Sequence, residues 1–148
     1  MENDCTVAGC NQPGDGGGDT VDDIRTHLAH ERELEVEGWG DIVSWRTLVS
    51  GDRTPTAGLT AGTAEIQPGA TVDGALHHHA PHELYYFLSG RGHVHLDGVE
   101  QPVEAGSVVF VPGGTPHFVR NSGDEVLRLL YVFPVDSFGD VEYVFPDR

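Results

Sequence analysis

From Gly74 to Gly90 the chain reads Gly-Ala-Leu-His-His-His-Ala-Pro-His-Glu-Leu-Tyr-Tyr-Phe-Leu-Ser-Gly, with four histidines and a carboxylate between His77 and Glu83. His77 and His79 are separated by one residue, and in an extended chain such residues project to the same side. Glu83 follows a short Ala-Pro-His corner. Further along, Gly113-Gly114-Thr115-Pro116-His117 brings another imidazole behind a glycine-proline turn. Three neutral imidazoles and one carboxylate suit a borderline divalent ion such as Mn, Fe, Co, Ni, Zn or Cu. The expectation is one divalent transition metal per chain, held by His77, His79, Glu83 and His117.

Such a cage needs short, stiff elements to hold it. Gly and Pro number 20 and 9 in 148 residues, and Val, Leu, Phe and Tyr fall in short runs. Strand signals recur at Leu59–Ile66, Leu84–Leu88, His93–Leu96, Ser107–Val111, Phe118–Arg120, Val126–Phe133 and Val141–Phe145, with glycine-rich turns between them. Between Leu34 and Val49 the apolar period is also two, broken at Gly38-Trp39-Gly40. Short strands at near-regular spacing predict an all-β sandwich or barrel. The run Leu129–Phe133 reads as a central, doubly covered strand. Thr20, as N-cap before two acids, predicts a short N-terminal helix with Val21, Ile24 and Leu28 on one face. Residues 1–19 carry almost no large apolar side chains, so the expectation there is a disordered tail. Residues 20–148 then form one domain, large enough to bury a core without disulfides. Cys5 and Cys10 both fall in the tail, and a lone C-x4-C pair does not complete a zinc site.

The formal net charge is −16, and all eight basic residues are arginine. A chain so acidic repels nucleic acid and anionic membrane surfaces, which makes both poor partners. An acidic, lysine-free surface is expected of a protein kept soluble in concentrated salt, a halophilic setting. No apolar run approaches the roughly 18 residues of a membrane span. The N-terminus, Met-Glu-Asn-Asp, has neither a basic nor an apolar region, so a cytoplasmic location is expected.

The two histidine segments resemble the paired motifs of the cupin superfamily. The first family motif reads G-x5-H-x-H-x3-4-E-x6-G, and His77, His79, Glu83 and Gly90 fit it from the first histidine onward. The leading glycine does not fit, since the nearest candidates are Gly69 and Gly74. The second motif reads G-x5-P-x-G-x2-H-x3-N, and Gly106, Pro112, Gly114, His117 and Asn121 match every defined position. The resemblance, which spans residues 74–121, implies a single cupin domain. It also implies a double-stranded β-helix (jelly-roll) barrel, with the two histidines and glutamate of the first motif and the histidine of the second as ligands. A homodimer is implied as well, with the residues from Trp39 to Val49 as the place to look for the contact.

Alternation sorts the neighbouring side chains. If Glu83 points inward, so do Tyr85 and Phe87, while Tyr86 and Leu88 point outward. Tyr85 is therefore the phenol expected to approach a bound substrate and act as acid or base. His78 faces away from the cage, and His82 could serve as a ligand only if the corner were reshaped. Val94 and Leu96 should take the core side of their strand, leaving His93 and His95 in solvent. Phe110 is expected to line the barrel beside Phe87. Trp39 and Trp45 read as packing residues, and Arg120 should face outward.

Four protein ligands leave open positions on such a metal. That suits an enzyme acting on a small oxygenated or carboxylated metabolite, as lyase, isomerase, decarboxylase or dioxygenase. The Glu83-x-Tyr85 spacing resembles that of cupin lyases acting on dimethylsulfoniopropionate. The alternative is a small-molecule binding or sensing protein whose metal anchors a ligand without turnover.

Overall fold

The computed structural model describes residues 24–70 and 75–146. The expected tail, with Cys5 and Cys10, lies outside the described residues, as does Gly74. Among the described residues the fold is all-β, with nine strands in two antiparallel sheets. In chain order they are β1 (Glu37–Trp39), β2 (Val43–Val49), β3 (Thr60–Ile66), β4 (Glu83–Ser89), β5 (Arg91–Leu96), β6 (Val99–Glu104), β7 (Val108–Val111), β8 (His117–Arg120) and β9 (Leu127–Phe133). The larger sheet has the order β1-β2-β3-β9-β4-β7 and the smaller β6-β5-β8. This architecture is consistent with a jelly roll.

Alternating side chains explain why the two sheets face each other. Along β9 the residues Leu127, Leu129, Tyr131 and Phe133 are buried, while the intervening Arg128, Leu130 and Val132 are only partly covered. This is the period-two pattern of a strand with one face on the core. Phe87 from β4 and Val94 and Val103 from the smaller sheet complete the same apolar cluster. β9 is central, as expected, but its outer face is only partly covered.

One buried polar clamp fixes the end of the smaller sheet. Asn121 donates through its amide nitrogen to the carbonyls of Ile66 (2.8 Å) and Glu125 (2.7 Å) and accepts from the Gly123 N–H at 2.9 Å. The last position of the second motif is therefore a tie between β3 and the turn after β8.

Three expectations are corrected, and one strand was not foreseen. Residues 24–30 form no helix; Ile24 and Leu28 are exposed, and the Arg25 N–H bonds to the Pro55 carbonyl at 3.1 Å. An apolar stripe stabilises a short helix only where it has a surface to pack on, and Ile24 and Leu28 face solvent. The first turn of that helix lies outside the described residues. Val141–Phe145 is not a strand. Its one ladder contact is the bridge between Val144 and His78, whose neighbour His77 is bridged instead to His117. The unpredicted strand β6 is polar, buries only Val103 and carries Pro102, which is tolerated because β6 lies at a sheet edge. The third correction is Phe110, which is 59% exposed. Glu83 pairs with Val111 and Leu84 with Phe110, so the register that turns Glu83 inward turns Phe110 outward.

Candidate metal centre

His77 and His117 are joined backbone to backbone. The His77 N–H donates to the His117 carbonyl at 3.2 Å, and the His117 N–H donates back at 2.8 Å. This isolated antiparallel bridge sets their rings side by side, with centroids 4.4 Å apart. The next residue, His78, is bridged to Val144, so its side chain lies on the opposite side of the chain from its neighbours. His79 lies one step further on, its carbonyl accepting from the Gly114 N–H at 2.8 Å. Gly114 has φ +79°, a conformation that a side chain would strain, and it lets the turn before β8 reach that carbonyl. Glu83 opens β4 and is buried.

The ring nitrogens carry the decisive chemistry. Each Nδ1 lies against a backbone carbonyl: His77 on Ala75 at 2.8 Å, His79 on Pro81 at 2.9 Å and His117 on Thr115 at 2.7 Å. A carbonyl only accepts, so each Nδ1 carries hydrogen and each neutral ring presents a lone pair at Nε2. The ligand-capable nitrogens of all three rings lie within 4.8 Å of one another. Glu83 Oε2 sits 3.0 Å from His79 Nε2 and 3.2 Å from His117 Nε2. Acceptors thus converge on one buried point, which only protons or a cation can reconcile. Carbonyl-oriented imidazoles beside a carboxylate fit a divalent ion.

Electrostatics prepares the same point. Burial pulls the His77 imidazole down to about 4, so that ring stays neutral at ordinary pH. Burial also pulls on His79, but the Glu83 carboxylate outweighs it and raises the imidazole above its usual value. Burial pushes the Glu83 carboxyl up, while His117 and His79 more than offset it and leave it lowered. Tyr85 is raised well above an ordinary phenol by burial and by the charge of Glu83, so it is protonated in the metal-free protein.

The remaining histidines stay apart from the cluster. His82 is exposed, accepts from the Gly113 N–H at 2.8 Å and packs against Phe110, which fixes the corner before β4. His93 and His95 are half-buried, where full exposure was expected. His93 meets Ser122 Oγ at 2.7 Å, and His95 stacks on Phe118 with centroids 4.9 Å apart. Arg120 points outward to Glu100, with both nitrogen–oxygen distances 3.1 Å. Tyr85 is buried inward and Tyr86 is 43% exposed, as alternation requires.

Above the cluster lies a cavity of about 290 Å³, walled by His77, Glu83, Tyr85, aromatic rings and aliphatic side chains. Several wall residues were not singled out from the sequence. Tyr143, from the C-terminal segment, lies 4.9 Å from the His77 ring and 5.5 Å from the His79 ring. Tyr131 enters from β9, its hydroxyl packed where a side chain on Gly62 would stand. Trp39 and Trp45 also line this cavity. The inward phase of Tyr131 along β9 was legible from alternation. Tyr143 falls in the expected strand Val141–Phe145, whose alternation gave its phase but not its place beside the histidines.

The chain matches the family described as Cupin domain over residues 62–133. Among curated proteins, dimethylsulfoniopropionate lyase DddW of Ruegeria pomeroyi is 38% identical over 103 residues, covering 70% of this chain and 66% of the lyase. The chain belongs to the cupin superfamily. The cupin domain also resembles an oxalate-binding protein of Thermotoga maritima, 29% identical over 107 residues, with 72% of this chain and 88% of that protein covered. A solved structure of the Bacillus subtilis oxalate decarboxylase, an enzyme with Mn(II) centres, aligns with a TM-score of 0.66 at 26% identity. It covers 79% of this chain and 31% of that one. The chain thus spans about two thirds of the length of the lyase and under a third of the decarboxylase. Among the described residues, no helix is long and apolar enough to cross a membrane.

Proposed function

We propose that this cupin is a metal-dependent enzyme that binds the carboxylate of a small metabolite at the His77, His79, Glu83 and His117 cage and moves a proton through Tyr85. The observation that carries the reading is the convergence of imidazole lone pairs and one carboxylate oxygen, each ring pinned by a backbone carbonyl. A divalent ion held there supplies Lewis acidity, polarising a carboxylate oxygen and lowering the pKa of the neighbouring phenol.

Within that class, lyase chemistry is favoured by the Glu83-x-Tyr85 spacing and by the likeness to DddW. In an elimination, Tyr85 first releases its phenolic proton to solvent, and the phenolate oxygen then takes a proton from the carbon next to the carboxylate. The electron pair of that C–H bond forms the alkene, and the bond to the leaving group breaks with its pair going to that group. The ring of Tyr85 lies 6.2 Å from that of His117, beside the cage rather than within it. The aromatic wall helps exclude bulk water from the reacting carbon.

A second reading, a protein that binds a small carboxylate at the same metal without turning it over, is favoured by the likeness to the oxalate-binding protein. Elemental analysis of untagged protein, followed by a turnover screen of the metal-loaded form, decides between them. Near-stoichiometric metal with acrylate released from dimethylsulfoniopropionate supports the lyase. Metal with tight binding and no turnover of any small carboxylate supports the binding protein. Failure to take up any divalent ion sinks both.

A further inference from the structure

Among the described residues, no arginine or lysine contributes to the cavity wall, and its one carboxylate is Glu83. A dianion seated at the cage would press its second carboxylate against rings, with no counter-charge to offset the lost hydration. An unpolarised apolar tail would fit the space. One feature of the wall favours a cation instead.

Trp39 on β1 and Trp45 on β2 pack with ring centroids 5.4 Å apart and planes at 76°. The two rings meet edge to face and both line the cavity, so the corner they form offers electron-rich indole surface of the kind that attracts onium groups. Trp39 is 57% exposed on an edge strand, so over half of its surface is not taken up by packing. Arg53 does not line the cavity, and its guanidinium is held by the Glu37 carboxylate at 2.8 and 3.0 Å. β2 is separated from β4 by β3 and β9, three strand spacings or about 14 Å of backbone. Side chains reaching in from both ends shorten that gap to the scale of a small metabolite.

Charge balance points the same way. Neutral imidazoles, one carboxylate and a divalent ion leave one net positive charge, which a ligand carboxylate neutralises. A positive group at the far end then needs electron-rich surface without a second full anion, and indole faces provide it. We infer that the Trp39–Trp45 corner is the specificity subsite for the cationic end, a sulfonium or quaternary ammonium, of a zwitterionic carboxylate held at the cage. This rests on the proposed metal site.

The test is calorimetric binding to the full chain, after a separate titration establishes uptake of one equivalent of Mn(II). The probes are dimethylsulfoniopropionate, its neutral isostere isocaproate, and oxalate. The zwitterion should bind about tenfold more tightly than isocaproate, with oxalate weakest. Trp39→Leu, on an exposed edge position, should bring that ratio close to one by weakening the zwitterion far more than isocaproate. Equal affinities in the unaltered protein, tightest binding of oxalate, or a ratio insensitive to both Trp39→Leu and Trp45→Leu would overturn the subsite while leaving the metal site standing. Absence of Mn(II) uptake in the first titration would overturn both.

Discussion

Glu83 Oε2 lies 3.0 Å from His79 Nε2, although the Pro81 carbonyl on the far side of the ring makes Nε2 an acceptor in the neutral imidazole. Two buried acceptors at that distance repel unless a cation joins them. In the metal-free protein the raised His79 imidazole and lowered Glu83 carboxyl share that role as an ion pair. His117→Ala should therefore lower metal occupancy at least several-fold, while His93→Ala, outside the cluster, leaves it unchanged. Metal content of the purified variants checks this, and equal losses would remove the ligand assignment.

Tyr85 and Tyr86 are adjacent in sequence and opposite in space. Where turnover is found, Tyr85→Phe should lower kcat by about a hundredfold with metal retained, the scale of a lost acid–base group. Tyr86→Phe should change it little. The reverse pattern would show that the proton is carried from the other face of β4.

Tyr143 covers the cage from a segment tied to it by one bridge. The His78 N–H donates to the Val144 carbonyl at 3.0 Å and the Val144 N–H donates back at 2.9 Å. Tyr143→Ala should cost about 3 kcal/mol of stability and speed release of bound metal to a chelator. A variant with unchanged release kinetics would show that the segment does not shield the ion.

Glu31 straps the N-terminal segment onto β3 and β9 through Thr63 and Arg128. The Arg128 guanidinium is the main cause holding its carboxyl below the usual 4.5, against a smaller opposing effect of burial. A lowered carboxyl stabilises the fold above its unfolded-state value and loses that contribution as pH falls through the folded-state value. Glu31→Gln should thus lower Tm by a constant amount above pH 4.5, with the gap closing below it. Thermal melts across acidic pH measure this, and a gap that widens on acidification would contradict it.

Gly62 leaves room for the Tyr131 phenol, whose buried oxygen has no hydrogen-bond partner among the described residues. A methyl at that position would overlap the phenol and lie 2.5 Å from the Arg46 carbonyl. Gly62→Ala should cost about 1–3 kcal/mol. Adding Tyr131→Phe should recover only part of that, because the carbonyl contact remains. Full recovery in denaturant titrations would show that the phenol oxygen alone sets the limit.

The sequence by itself determined the strands whose neighbours are local. His77 and His79 share a side because extended chain alternates, and the same alternation turned Tyr85 and Phe87 inward. Glycine and proline marked the turns that deliver Glu83 and His117, and spacing alone matched the cupin motifs. Tertiary structure decided what depends on pairing between distant segments. The His77–His117 bridge brings the two motifs to one point. The β4–β7 register turned Phe110 outward against expectation. The C-terminal residues, with no ladder partner beyond one bridge, place Tyr143 over the cage, and the pairing of β1 with β2 brings Trp39 and Trp45 together at its cavity. Local periodicity fixes which side a residue faces, but what lies on that side is set by chain segments far away in sequence.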